Sequence, residues 1–224
     1  MGKGVVDESS NYFLGTAALS DKDYLHDYIK MSDLIVNIGH DVVEKPPFFM
    51  EHGGTRVIHI NYKSAQVDQV YFPQIEVVGD IALSVDKLSD AIGSKLPLDL
   101  TDFETVRDNV KDKIFQLGDE ATFPMQPQSI VSEIRKLMGY HDIIALDNGV
   151  YKIWFARNYL AYQPNTILLD NALATMGAGL PSAMLAAMIY PSRKVMSICG
   201  DGGFMMNSQE IETAVRLNLN MVVL

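Results

Sequence analysis

The residues best suited to chemistry in this chain form one short stretch, Gly200-Asp201-Gly202-Gly203-Phe204-Met205-Met206-Asn207. It lies between an apolar run, Val195-Met196-Ser197-Ile198-Cys199, and an amphipathic run from Ser208 to Leu217, an order that predicts strand, tight glycine turn and helix. Glycine lets the backbone turn sharply and approach a ligand closely, and the amides at a helix mouth favour an anion. Asp201, at the tip of that turn, would repel a phosphate unless a cation lay between them, and a hard oxygen ligand of this kind suits Mg²⁺ or Ca²⁺. The stretch reads as a metal-bridged diphosphate site or, taken in isolation, as nothing more than a loop. Its context has to decide.

Composition narrows that context. At 224 residues the chain is long for one domain and short for two, taking about 100–200 residues per domain. With 48% hydrophobic and 21% charged residues it suits a globular protein with a sizeable core. The net charge of -10 works against nucleic acid or an anionic membrane surface as a partner, while leaving room for a small anionic cofactor held by amides and a metal. A single cysteine, Cys199, rules out an intramolecular disulfide framework and fits a reducing cytoplasm. Lying inside an apolar strand, it reads as a core residue rather than a nucleophile. No run approaches ~18 continuous apolar residues, so no membrane span is expected. The amino terminus lacks the apolar region of a signal peptide, and Val6 stands where a myristoylation motif needs Ser or Thr.

The elements that must position the stretch can be read in order. A polar, aromatic run from Asp21 to Lys30 predicts a helix, and Asp33 to Gly39 a buried parallel strand, followed by a loop at Pro46-Pro47. Arg56–Asn61 and Ile75–Val78 read as further strands, and Ile81 to Ile92 as a helix stopped by Gly93. Leu96-Pro97-Leu98-Asp99 and Phe123-Pro124-Met125-Gln126-Pro127 bracket a charged helical run, Thr101 to Leu117, which suits a connector. Beyond it, Pro127 opens a helix that Gly139 closes; Asp142 to Leu146 is a strand that turns at Asp147-Asn148-Gly149. A helix follows over Trp154 to Tyr159, then a short strand over Thr166 to Leu169 and a small-residue helix over Ala174 to Ile189. Asn207 with Glu210 resembles a capping box for the next helix, and Asn220 to Leu224 is a last strand. The expected class is α/β, with parallel sheets flanked by helices in two incomplete doubly wound domains: residues 1–95, a connector over 96–124, and residues 125–224.

Four segments together carry a resemblance. Asp147-Asn148-Gly149-Val150-Tyr151-Lys152-Ile153-Trp154 is similar to the pattern Asp-x-Gly-x-His-x-x-Trp. Ala174-Thr175-Met176-Gly177-Ala178-Gly179-Leu180-Pro181 is similar to Gly-Thr-Met-Gly-x-Gly-Leu-Pro, and Gly202 to Glu210 to Gly-Ser-Phe-x-Met-Asn-x-Gln-Glu. The Gly-Asp-Gly at Gly200 resembles the diphosphate motif of thiamine-diphosphate enzymes, and the combination resembles their acetolactate synthase branch. Upstream, Gly2-Lys3-Gly4-Val5, Asp33-Leu34-Ile35, Val57-Ile58-His59-Ile60-Asn61 and Val78-Gly79-Asp80 resemble the central domain of that family.

The resemblance implies the later part of a central domain in residues 1–95 and the first part of a diphosphate-binding domain in 125–224. It implies thiamine diphosphate and Mg²⁺ as cofactors, with Asp201 as metal carboxylate and the amides of Gly202 and Gly203 on phosphate oxygens. Asn148 and Gly149 would line the same turn, with Tyr151 where the family usually has histidine. Ala174 would offer its carbonyl, and Met176 its side chain, to the aminopyrimidine; without the resemblance Met176 reads as a core methionine. The segments Gly15 to Leu19 and Gly39 to Glu44 do not match the flavin-contacting segments of biosynthetic members, so FAD is not expected. The five histidines show no metal-ligand spacing and read as surface or packing residues. The implied reaction joins two pyruvates to 2-acetolactate with loss of CO₂, in a cytoplasmic homo-oligomer acting on 2-keto acids. Another thiamine-diphosphate decarboxylase or oxidase, or a non-catalytic α/β module, are the alternatives. The family's activating glutamate and second metal ligand have no counterpart here, so the expectation is of a fragment, inactive alone and prone to associate through exposed apolar faces.

Overall fold

The computed structural model describes residues 2–17, 19, 24–39, 49–93, 100–120, 122–170 and 173–224. By packing, the chain forms two compact units, Met1–Thr16 with Lys111–Leu224, and Ala17–Val110. The Pro46-Pro47 loop, the Leu96-Pro97 bracket, Ala18, the His40 to Glu44 segment and Asn171-Ala172 lie outside the described residues.

In the unit Ala17–Val110, α1 (Tyr24–Ile29) precedes a parallel sheet of order β1-β2-β3, formed by Leu34–Ile38, Arg56–Asn61 and Ile75–Val78. α2 (Ile81–Ile92) opens on Asp80, whose carboxylate accepts from the Leu83 amide at 2.8 Å, and closes on Gly93 at φ +50°. The Asp80 bond satisfies an amide that the helix itself cannot. Val57 and Ile60 of β2 are buried with Phe49, Met50 and Tyr71. The buried His59 lies 2.8 Å through Nδ1 from the Tyr71 hydroxyl and 3.1 Å through Nε2 from the Lys63 carbonyl. A carbonyl can only accept, so Nε2 donates to Lys63. Leu34, Val36 and Ile38 of β1 and Ile75, Val77 and Val78 of β3 are exposed. α3 (Thr101–Phe115) follows as the charged run predicts, with its residues up to Val110 in this unit and those from Lys111 in the larger one.

The larger unit contains α4 (Pro127–Leu137), β4 (Ile143–Leu146), α5 (Tyr151–Asn158), β5 (Ile167–Leu168), α6 (Gly179–Ile189), β6 (Val195–Ile198), α7 (Asp201–Asn207), α8 (Glu210–Arg216) and β7 (Met221–Val223). Its four strands are parallel in the order β5-β4-β6-β7. Every residue of β4 is buried, because successive side chains face two different helical layers. Ile144 and Leu146 pack with Val131 and Ile134 of α4 and Phe155 of α5; Ile143 and Ala145 pack with Ala183, Ala186 and Ala187 of α6. Helices on both faces of a parallel sheet are the α/β arrangement expected from the sequence.

The amino-terminal segment is tied into this larger unit. Lys3 Nζ lies 2.6 Å from the Glu8 carboxylate and donates to the Tyr159 carbonyl at 2.7 Å, while the Ala161 amide donates to Glu8 at 2.8 Å. Burial lowers the pKa of Lys3, against the pull of Glu8.

Three local expectations are corrected. α6 starts at Gly179 rather than Ala174, because Gly177 sits at φ +87°, which no right-handed helix admits. α5 starts at Tyr151 rather than Trp154. The capping box at Asn207 does not form: Asn207 ends α7 and spends its amide on the Gly177 carbonyl at 2.6 Å, while α8 begins after Gln209 with no side-chain cap.

Candidate functional site

Open parallel sheets present ligands at the carboxyl ends of their strands. In the larger unit three segments meet at that edge: residues 147–151 after β4, 174–178 between β5 and α6, and 199–203 after β6. Side chains hold them together. Asp147 Oδ1 accepts from the amides of Asn148 at 2.7 Å and Gly177 at 2.8 Å, and Oδ2 stands 3.0 Å from the Gly177 amide. Asn148 Nδ2 donates to the Thr175 carbonyl at 2.5 Å, and Asn148 Oδ1 accepts from Lys152 Nζ at 2.9 Å, which fixes which way the amide faces. Lys152 Nζ also reaches the Asp170 carbonyl. The Gly200 amide donates to the Tyr151 hydroxyl at 3.0 Å.

The glycines of the Gly-Asp-Gly-Gly stretch have a different reason from the one the sequence suggests. Gly200 is extended, and the helix starts at Asp201, so Gly202 and Gly203 lie in its first turn rather than in a sharp bend. What they need is room. A side chain at Gly203 would overlap the Asp147 carboxylate, and one at Gly202 would stand 2.8 Å from Cε of Met176. Gly179 is equally confined, its would-be Cβ falling 2.7 Å from Cβ of Asp147.

The structure gathers Asn148, Gly149, Tyr151, Met176, Asp201, Gly202 and Gly203 at this one edge. Ala174 lies exposed in the middle segment, and Met176 is 44% exposed with its methyl group against Gly202, not buried as a core methionine. Asp201 is exposed, with Oδ1 accepting from the Gly202 amide at 2.8 Å. Burial raises the Tyr151 phenol, opposed by the bond from Gly200, and burial likewise raises the Cys199 thiol, which suits the non-nucleophilic reading of that residue. Asp147 and Asn207 carry bonds that sequence reasoning did not foresee. The available signal for Asp147 was a charged residue directly after a wholly apolar strand.

A diphosphate held through a cation would meet the Asp201 carboxylate at the start of α7. Among the described residues no group of three or more His, Cys, Asp or Glu could enclose a metal ion. An exposed single carboxylate at Asp201 suits Mg²⁺, which is commonly bound by one or two carboxylates together with phosphates and water. Gly202 leaves open the space beside Met176 that a Cβ would fill. No helix among the described residues is long and apolar enough to cross a membrane.

Comparison with known proteins gives the family to which these segments belong. Residues 147–224 match the thiamine pyrophosphate enzyme, C-terminal TPP binding domain, and residues 1–88 match the central domain of the same enzymes. The chain is 32% identical over 225 residues to a catabolic acetolactate synthase of Raoultella terrigena, covering 99% of this chain and 40% of the relative. It is 32% identical over 203 residues to an acetolactate synthase of Bacillus subtilis, covering 87% of this chain and 35% of the relative. To a probable acetolactate synthase large subunit of Methanococcus aeolicus it is 29% identical over 239 residues, covering 100% and 40%. It therefore spans well under half the length of these relatives. With one end matching the central domain and the other, containing the three convergent segments, matching the cofactor-binding domain, the chain belongs to the thiamine pyrophosphate enzymes.

Proposed function

We propose that this chain supplies the diphosphate-binding half-site of a carboligase that joins two pyruvates to 2-acetolactate with loss of CO₂. The observation that carries the reading is the tying of the 147–151, 174–178 and 199–203 segments into one edge, within the part of the chain that matches the TPP-binding domain. The relatives named above support the acetolactate assignment. Residues 1–95 and 125–224 are assigned to the central and cofactor-binding domains, with 96–124 as connector.

In this reading Asp201 holds Mg²⁺ and the Gly202 and Gly203 amides face the diphosphate. Asn148, Gly149 and Tyr151 shape the adjoining wall, and Ala174 and Met176 orient the rest of the cofactor. Thiamine diphosphate, when bound, supplies the nucleophilic carbon and electron sink for decarboxylation. The protein's part is to orient, to neutralise phosphate charge and to exclude water. A homo-oligomer in the cytoplasm, independent of FAD, completes the proposal; the 224-residue chain alone is expected to bind cofactor weakly and turn over no pyruvate.

Emission from Trp154, the single tryptophan, on α5 next to Tyr151, provides the test. Titration with thiamine diphosphate should change it only with Mg²⁺ present, and Asp201→Ala should abolish that change. A response independent of Mg²⁺ and of Asp201 would reject the metal assignment. Acetaldehyde or acetate without acetolactate, formed from pyruvate by a longer protein containing this chain, would reject the carboligase assignment.

A further inference from the structure

Asp147 is 0% exposed, yet among the described residues no basic side chain pairs with it. A buried carboxylate survives only where hydrogen bonds replace its water. Here backbone amides do so, Asn148 from its own turn and Gly177 from a segment thirty residues away. Three glycines from two other segments crowd the same group. Gly177 donates to it, Gly179 leaves room for its Cβ, and Gly203 leaves room for Oδ2. The strand end is fixed in turn, since the Asp147 amide donates to the Ile198 carbonyl of β6 at 2.9 Å. Asn207, from the end of α7, closes the loop by donating to the Gly177 carbonyl.

We propose that Asp147 is a positioning residue: its buried carboxylate is the common anchor that sets the 174–178 segment and the first turn of α7 in register with each other. The residues so placed, Met176 beside Gly177 and Gly202 beside Gly203, are those assigned above to the cofactor, so the proposal's ligand rests on that reading. Its geometry does not. Wholly buried, Asp147 offers no surface to a ligand and acts through Gly177 and Gly203. Its charge matters as well as its size, because two amide donors converge on it. Asparagine in its place would turn an NH₂ group towards at least one of them.

Amide hydrogen exchange on the full 224-residue chain, without cofactor, tests the anchor. In Asp147→Asn, exchange over residues 174–178 and 200–204 should rise about tenfold or more, the factor one such lost bond is worth. Exchange in β2 and in the centre of β4 should stay as it was. Thiamine diphosphate with Mg²⁺, followed by Trp154 emission, should bind about 10–100-fold more weakly, the range seen for outer-shell partners of bound ions. Unchanged exchange over 174–178, or an equal rise throughout the four-stranded sheet, would overturn the proposal, the latter by reducing Asp147 to a general core residue. Should Asp147→Asn fail to fold, ¹⁵N-glycine labelling of the unaltered chain decides: Gly177 must be a slowly exchanging amide, and rapid exchange there overturns the proposal. If the unaltered chain binds no thiamine diphosphate while the exchange pattern holds, the anchor stands and the cofactor reading fails.

Discussion

The Tyr151 hydroxyl accepts a hydrogen bond from the Gly200 amide at 3.0 Å, joining the turn after β4 to the turn after β6 across 49 residues of chain. The bond takes the last amide before α7, and it explains why a bulky phenol is accommodated beside two glycines, Gly149 and Gly200, on which it packs. Replacing Tyr151 with Phe keeps the ring and leaves that amide without its acceptor. Stability should fall by about 1 kcal/mol, read from the urea midpoint, and thiamine diphosphate should bind more weakly than to the unaltered chain. An unchanged midpoint would show that the bond contributes nothing.

Adjacent glycines in α7 should respond in opposite ways to the same substitution. Gly203→Ala drives a methyl into the Asp147 carboxylate and should cost about 1–3 kcal/mol as an overpacked site. Gly202→Ala meets only the mobile end of Met176, and alanine favours a helix, so stability should hold or rise slightly. The second variant should nevertheless lose cofactor binding, since its methyl occupies the space beside Met176. Urea midpoints paired with Trp154 titrations separate the two effects.

The amino-terminal residues should stabilise the larger unit. Lys3→Met removes the partner of the buried Glu8 carboxylate and should cost about 3–5 kcal/mol, as breaking a buried pair does. Exchange in β4 and β6 should accelerate while β2, in the other unit, keeps its protection. The reverse pattern would contradict the packing of residues 1–16 described above.

Alkaline stability carries a sign that can be checked. Burial raises the Tyr159 phenol above its ordinary value, opposed by the Arg135 guanidinium, to which its oxygen is bonded at 2.7 Å. The unfolded chain loses that proton near pH ~10 while the folded chain still holds it. The unfolded state then binds fewer protons, so the stability that Tyr159 provides is complete below pH ~10 and is lost as pH rises towards the folded value. Tyr159→Phe should be less stable at neutral pH, for want of the Arg135 bond, and should show a shallower decline above pH ~10. Equal slopes in urea unfolding across that range would refute the assignment.

Much of the fold was legible because it depends on local pattern. Apolar runs of strand length gave β2 and β3 to the residue, and the Pro127 start and Gly93 stop placed helix ends where backbone geometry demands them. The helix starts at Gly179 and Asp201 were not legible in this way. The first is delayed by a left-handed Gly177, and the second takes the glycines into the helix itself. Nor could Asn207 be assigned correctly, since its capping partner lay three residues away in sequence and its real partner, Gly177, thirty residues away.

The sequence by itself determined the class of fold, the family motifs and the residue types of the candidate site, because each is written in short runs of the chain. Only the tertiary structure decided why those residues stand together. Asp147 closes the arrangement from the end of a buried strand, where a charge must find its hydrogen bonds in distant backbone. Those amides, and the glycines that make room around them, converge only once β4 and β6 lie side by side.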